Sequence, residues 1–181
     1  MNKEKHHTSR EQGFTLIETL VAILILLSAI MAPVTLAVQS INATSLARDQ
    51  VIATFLAQDA VEFIVATRKQ NLLSEHPTWL HGMTACAVSN KRCTVDTTRT
   101  SADHFNVCGG SSCDPIKYNE NNHFYGHSGA AGWEETKFIR SVEVNVIEPD
   151  QEAVVTVRVN WRSGLFYKTV TLKTNIFNNR L

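Results

Sequence analysis

Gly13-Phe14-Thr15-Leu16-Ile17-Glu18 opens an apolar run that continues to Val38, and this stretch decides how the rest of the chain is read. From Phe14 to Val38 there are 25 residues (38 − 14 + 1), and Glu18 is their only formally charged side chain. As a helix such a run spans roughly 37 Å, enough to cross a bilayer core of about 30 Å. An ionised carboxylate deep in a membrane costs about 2.5–3.5 kcal/mol and less near an interface, so Glu18 needs a partner.

These six residues resemble the prepilin signature of type IV pilins, of type II secretion pseudopilins and of competence pseudopilins. The resemblance implies that residues 1–13 are a leader and that a membrane peptidase cleaves between Gly13 and Phe14. It implies N-methylation of Phe14 and a role for Glu18 in assembly. Cleavage leaves an α-ammonium on Phe14. On one helix Phe14 and Glu18 are i and i+4 neighbours, and between subunits the Glu18 of an incoming chain can neutralise the Phe14 amine of its predecessor. Buried charges are tolerable as a pair and destabilising once one partner is removed. A plain single-pass anchor has no use for an early glutamate. A cleaved secretory signal, with Thr35-Leu36-Ala37 as its site, has a shorter apolar core of roughly 7–15 residues.

Length and charge bound what remains. The 181 residues suit one folded domain plus an extended helix, and zero formal net charge gives no pull toward nucleic acid. The leader carries Lys3, Lys5 and Arg10, which favours a cytoplasmic N-terminus and an extracytoplasmic remainder. His6 and His7, in a segment destined for removal, are read as incidental. Pro33 removes a donor from the helix, so a kink is expected there. Ser28 and Ala32, four apart, would let a second helix approach.

Beyond Val38 the pattern turns amphipathic. Ile41, Ser45, Arg48, Ile52, Phe55, Leu56, Ala60, Phe63 and Ile64 fall near one face at helical spacing. One helix is expected over residues 14–70, ending near Arg68 and Lys69, whose charges suit a C-terminus. Its half over 14–38 would be the membrane or filament-core part. The half over 39–70 would cover a globular domain over 71–181.

Residues 71–133 are loop-rich. A hairpin is expected from 83–88 and 92–97 around Ser89-Asn90-Lys91. All four cysteines lie here, and on the outer face of a membrane an even count reads as two disulfides. Three connectivities exist, and short loops favour Cys86 with Cys93 and Cys108 with Cys113. Zinc at His104, Cys108, Cys113, His123 and His127 is the competing reading, without the usual C-x₂-C spacing. Asp114, Asn119, Glu120, Asn121 and Asn122 offer oxygens to calcium, without EF-hand spacing. No metal, cofactor or catalytic constellation rises above background, so the chain reads as a non-enzyme.

The C-terminal stretch alternates. Phe138, Val142, Val144 and Val146 face one way, then Val155, Val157, Val159 and Trp161, then Phe166, Val170, Leu172 and Ile176. Turns at Glu148-Pro149-Asp150-Gln151 and Arg162-Ser163-Gly164 make this a three-stranded antiparallel meander. Its apolar side needs a cover, and the amphipathic half-helix supplies one, with Trp161 in the core.

The expected fold is therefore α+β: a long kinked N-terminal helix on a small antiparallel sheet, with a disulfide-stapled loop region between. By resemblance the partners are prepilin peptidase, other pilin subunits, the inner-membrane assembly platform and, before assembly, membrane lipid. The chain would sit in the membrane first and in a cell-surface filament later. Two mid-chain cysteine pairs differ from the single C-terminal bridge of many major pilins, so a minor pilin fits best. A secretion or DNA-uptake pseudopilin, or a monomeric membrane-anchored binding module, are the alternatives.

Overall fold

The computed structural model describes residues 13–99, 104–110 and 112–179. The leader expectations fall on residues 1–12, outside the described residues. One helix, α1, runs over Leu16–Leu73 with Pro33 inside it. The chain divides into two compact units, Met1–Ser45 and Leu46–Leu181.

In the first unit every described residue is exposed. Its hydroxyls turn inward on their own helix: Thr19 donates to the Leu16 carbonyl, Ser28 to Ile25, Thr35 to Ala32 and Thr44 to Ser40, at 2.8–2.9 Å. Those four hydroxyls are thereby satisfied within the helix on an otherwise largely apolar outer surface.

The second unit is helix on sheet. Strands β1 (Cys93–Val95), β2 (Phe105–Val107), β6 (Ile139–Glu148), β7 (Glu152–Ser163) and β8 (Phe166–Phe177) form one sheet in the order β2-β1-β6-β7-β8. Its pairings are antiparallel, with Val142 opposite Val157 and Val157 opposite Leu172. The C-terminal meander is present as β6-β7-β8, and β1 and β2 extend it at the β6 edge. A second antiparallel sheet holds β3 (Lys117–Asn119), β4 (Phe124–Gly126) and β5 (Trp133–Glu135), in the order β4-β3-β5.

The core is the sheet's inner face against α1. Val142, Val144, Val155, Val157, Val159 and Trp161 meet Ala53, Leu56, Ala57, Ala60 and Ile64. Alanines at 53, 57 and 60 let the helix approach the branched valines closely, and fully burying Ile64 contributes roughly 1.5–3 kcal/mol.

Several elements differ from the sequence expectation. The helix begins at Leu16 and continues to Leu73, past the basic pair. At its far end the Asn71 side-chain amide donates to the carbonyls of Trp79 and His81, and the Arg68 guanidinium donates to the Phe177 carbonyl. The inward stripe sits about one position from the expected one. Asp49 is buried, whereas Ile41, Arg48 and Phe55 are exposed, because the sheet selects the alanines for closeness.

The expected hairpin of 83–88 with 92–97 does not form. Thr84–Cys86 is a single 3₁₀ turn, and β1 pairs instead with β2 and β6. Long-range pairing to a buried strand outweighs the local turn. Phe166 keeps the phase of Val170 and Leu172 yet stands 70% exposed, because the tip of the β7–β8 hairpin extends beyond the part that α1 covers.

Candidate functional site

Two places in the chain concentrate chemistry, and the first is the start of α1. Gly13, Phe14 and Thr15 precede the helix and are exposed, Phe14 at 78%. Thr15 is the residue before the first helical position, and its carbonyl accepts the Glu18 and Thr19 N–H groups at 3.1 and 3.2 Å. Its hydroxyl also accepts the Glu18 N–H, at 3.4 Å. A threonine followed three residues later by a glutamate is the capping-box pattern.

Glu18 therefore sits in the first turn, where the helix dipole favours a negative charge. Phe14 lies outside the helix, so the i to i+4 relation with Glu18 does not hold as two helical neighbours here. Threonine's preference for the cap places the boundary after it.

Downstream, α1 contains a stretch long and apolar enough to cross a membrane. Residues 8–32 match a family described as the prokaryotic N-terminal methylation motif. The chain carries a prepilin-type methylation motif. No curated protein and no solved structure matches it. The motif supports a type IV pilin-like precursor, and the apolar helix that follows it fits a membrane-anchored one. Glu18 and Pro33 lie within the matched residues or one position beyond them, and Gly13 and Phe14 lie well inside.

The second place is one the sequence reading missed. Arg140 on β6 is fully buried. Its guanidinium donates to the Leu56 carbonyl at 2.9 Å, to Asp59 Oδ2 at 2.8 Å and to the Val95 carbonyl at 2.8 Å. One side chain thus joins α1, β6 and β1. Burial lowers its proton affinity, while the hydrogen bond and charge of Asp59 and the charge of Asp96 oppose that loss.

Asp96 is buried beside it and accepts from the Thr98 hydroxyl at 2.6 Å, the Thr98 N–H at 3.1 Å and the His127 N–H at 3.0 Å. Arg99 adds an ion pair at 3.1 Å. Burial raises the Asp96 pKa, but those hydrogen bonds outweigh it and hold the carboxyl below its ordinary value. His127 is pushed down to about 4, first by burial and then by the Arg140 cation.

Glycine is required at 126, where an added Cβ would stand 2.8 Å from Thr98 Oγ1 and 3.0 Å from Asp96 Oδ1. The signal that finds Arg140 is its phase: it lies on the same strand face as Phe138, Val142 and Val144.

Each cysteine is bonded, Cys86 to Cys93 and Cys108 to Cys113, with Cα separations of 5.6 and 4.7 Å. Cys108 and Cys113 are therefore spent as metal ligands. Among the described residues no group of three or more His, Cys, Asp or Glu side chains converges on a metal position. Asn119, one of the calcium-type oxygens, uses its side-chain carbonyl to cap the N–H groups of Asn121 and Asn122. A cleft of about 570 Å³ opens beside α1, lined by Ile52, Phe55, Asp59, His123, Phe124 and Tyr125. Asp59 there is already committed to Arg140 and to the Thr97 hydroxyl.

Proposed function

We propose that this chain is a type IV pilin-like subunit of the minor kind, made as a precursor and built into a pilus through its N-terminal helix. Prepilin peptidase cleaves after Gly13 and methylates Phe14. The globular part then lies outside the cytoplasmic membrane, and the assembly platform moves the subunit from lipid into the filament. The protein is structural rather than catalytic.

The observation that carries this reading is the methylation motif at residues 8–32, set on a helix whose apolar side chains find no cover among the described residues. Leu16, Ile17, Leu24, Ile25, Leu26 and Met31 are each more than 60% exposed. In water such a surface is untenable, so it requires lipid or like helices around it. Packing among like helices replaces lipid contacts at little hydrophobic gain, which leaves charge to set the register. Glu18 serves as that charge, opposite the new Phe14 amine. Pro33 bends the helix where neighbouring subunits need two packing directions.

The test is the N-terminal residue and mass of the mature protein recovered from membranes. A start at methylated Phe14 supports the reading. An intact Met1 means a simple anchor, and a start after Ala37 means a secretory signal; either overturns it. The same motif serves secretion and DNA-uptake pseudopilins, and deletion strains scored for pili, secretion and transformation separate the machines.

A further inference from the structure

The β7–β8 hairpin ends in an apolar tip that no described residue of its unit covers. Leu165, Phe166 and Tyr167 are 84, 70 and 79% exposed. The tip is a tight two-residue loop, with Ser163 paired to Phe166 and Gly164 at φ +60°. The Arg162 guanidinium donates to the Gly164 carbonyl at 2.9 Å and braces the turn. Arg162 and Lys168 flank the turn, while Arg158, farther along β7, is paired with Glu143 on β6 at 2.8 Å. From Ala153 to Asn179 the chain carries Arg158, Arg162, Lys168 and Lys173 and no Asp or Glu.

Strand register fixes where this tip lies in its unit. At one end of the sheet Glu152 pairs with Phe177, and the Phe177 carbonyl accepts from Arg68, near the end of α1. At the other end Asn160 pairs with both Ile139 and Thr169. There the Arg140 guanidinium reaches the Leu56 carbonyl and Lys137 reaches Asp49, near the start of the unit's helix. The tip projects beyond Asn160, so it shares an end of the unit with the entering chain at Leu46.

Only eight residue steps (46 − 38) lead from Val38, the last of the apolar run, to Leu46. That link spans about 12 Å as helix and at most roughly 28 Å extended. Counted from a bilayer exit at Val38, chain length alone limits Leu46 to that distance from the surface.

We propose that the Leu165-Phe166-Tyr167 tip docks at headgroup level into the anionic bilayer that holds the chain's own apolar segment. The proposal rests on the membrane-anchored reading above. Phe and Leu supply apolar area, Tyr carries a hydroxyl suited to the interface, and Arg162 and Lys168 complement anionic headgroups. The hairpin is narrow and cationic, as an interfacial finger needs to be. Docking holds the globular unit down on the membrane before assembly and must be released when the subunit leaves.

The experiment uses the full chain in nanodiscs of phosphatidylethanolamine and phosphatidylglycerol, one chain per disc, with a spin label on lipid headgroups. Amide signals of Gly164, Leu165, Phe166 and Tyr167 should lose most of their intensity, while those of Asp150 and Gln151 at the opposite end keep theirs. The double variant Leu165→Ser with Phe166→Ser should restore the tip signals, and Arg162→Gln with Lys168→Gln should restore them in part.

Full tip intensity, with residues 14–38 shielded from a water-soluble paramagnet, overturns the docking proposal and leaves the anchor intact. Unshielded residues 14–38 overturn the anchor reading itself. Tip broadening seen with two chains per disc but not with one assigns the tip to a second copy and also overturns the proposal.

Discussion

Arg140, wholly inside the protein, holds Asp59 at 2.8 Å, while the Asp59 side chain remains 47% exposed. The pair is lopsided: the cation has left water and its anion has not. Its two remaining anchors are the backbone carbonyls of Leu56 and Val95, on the helix and on the neighbouring strand.

This lopsidedness predicts an unusual cost at a half-exposed position. Asp59→Ala takes from the buried cation the carboxylate hydrogen-bonded to it and should destabilise the fold by about 1–3 kcal/mol, less than for a fully buried pair because Asp59 is half-exposed and two carbonyls and the Asp96 charge remain. Arg140→Met keeps the packing volume and leaves Asp59 free to meet water, so it should cost less. Urea denaturation of the full chain in detergent measures both. An Asp59→Ala variant within about 0.5 kcal/mol of the parent, as for an ordinary surface change, would mean the pair does not hold the helix to the sheet.

Acid should loosen the same cluster in two stages. His127 is held down to about 4, below its ordinary 6.5, so from pH 6.5 down to about 4 the unfolded chain binds a proton that the folded chain refuses. Stability therefore falls across that window and levels off below it. Asp96, held below the ordinary aspartate value of 3.8, adds a second loss as pH falls further through its folded pKa. The urea midpoint should drop between pH 7 and pH 4.5, and His127→Gln should flatten that drop. An unchanged slope in the variant would place the acid sensitivity elsewhere.

Glu18 and Thr15 make separable predictions. Thr15→Val removes the cap and should cost the first turn about 0.5–2 kcal/mol, read as faster amide exchange at Leu16–Thr19, with processing retained. Glu18→Ala should leave cleavage at Gly13 intact and block incorporation into filaments. Normal filaments that contain the Glu18→Ala chain would sink the pairing of Glu18 with the Phe14 amine. Glu18→Gln keeps the size and loses the charge, so it should resemble alanine in assembly.

The disulfides should matter unequally. Cys86 is fully buried and its bond ties the 3₁₀ turn to β1 within the core, whereas Cys108 is only half-buried. Replacing Cys86 and Cys93 with serine buries two hydroxyls in an apolar cluster and removes a loop closure worth about 2–4 kcal/mol. The same change at Cys108 and Cys113 should cost less. Thermal unfolding of the two double variants gives the order, and equal costs would contradict it.

Much of the architecture was legible in residue order. The apolar run with its solitary Glu18, the helical spacing beyond Val38 and the alternation of Val155, Val157, Val159 and Trp161 are local patterns set by periods of 3.6 and 2. They determine a long helix and an antiparallel meander, and they carry the methylation motif. The tertiary structure decided what no local pattern encodes. Arg140 looks like an interruption in an apolar face until Asp59, 81 residues away, appears beside it. The segment 83–88 reads as a strand until β1 takes β2 and β6 as neighbours instead. Phe166 reads as a continuation of the core face until the limited reach of α1 leaves it exposed. In each case the outcome depends on which distant surface arrives, and periodicity along the chain carries no record of that.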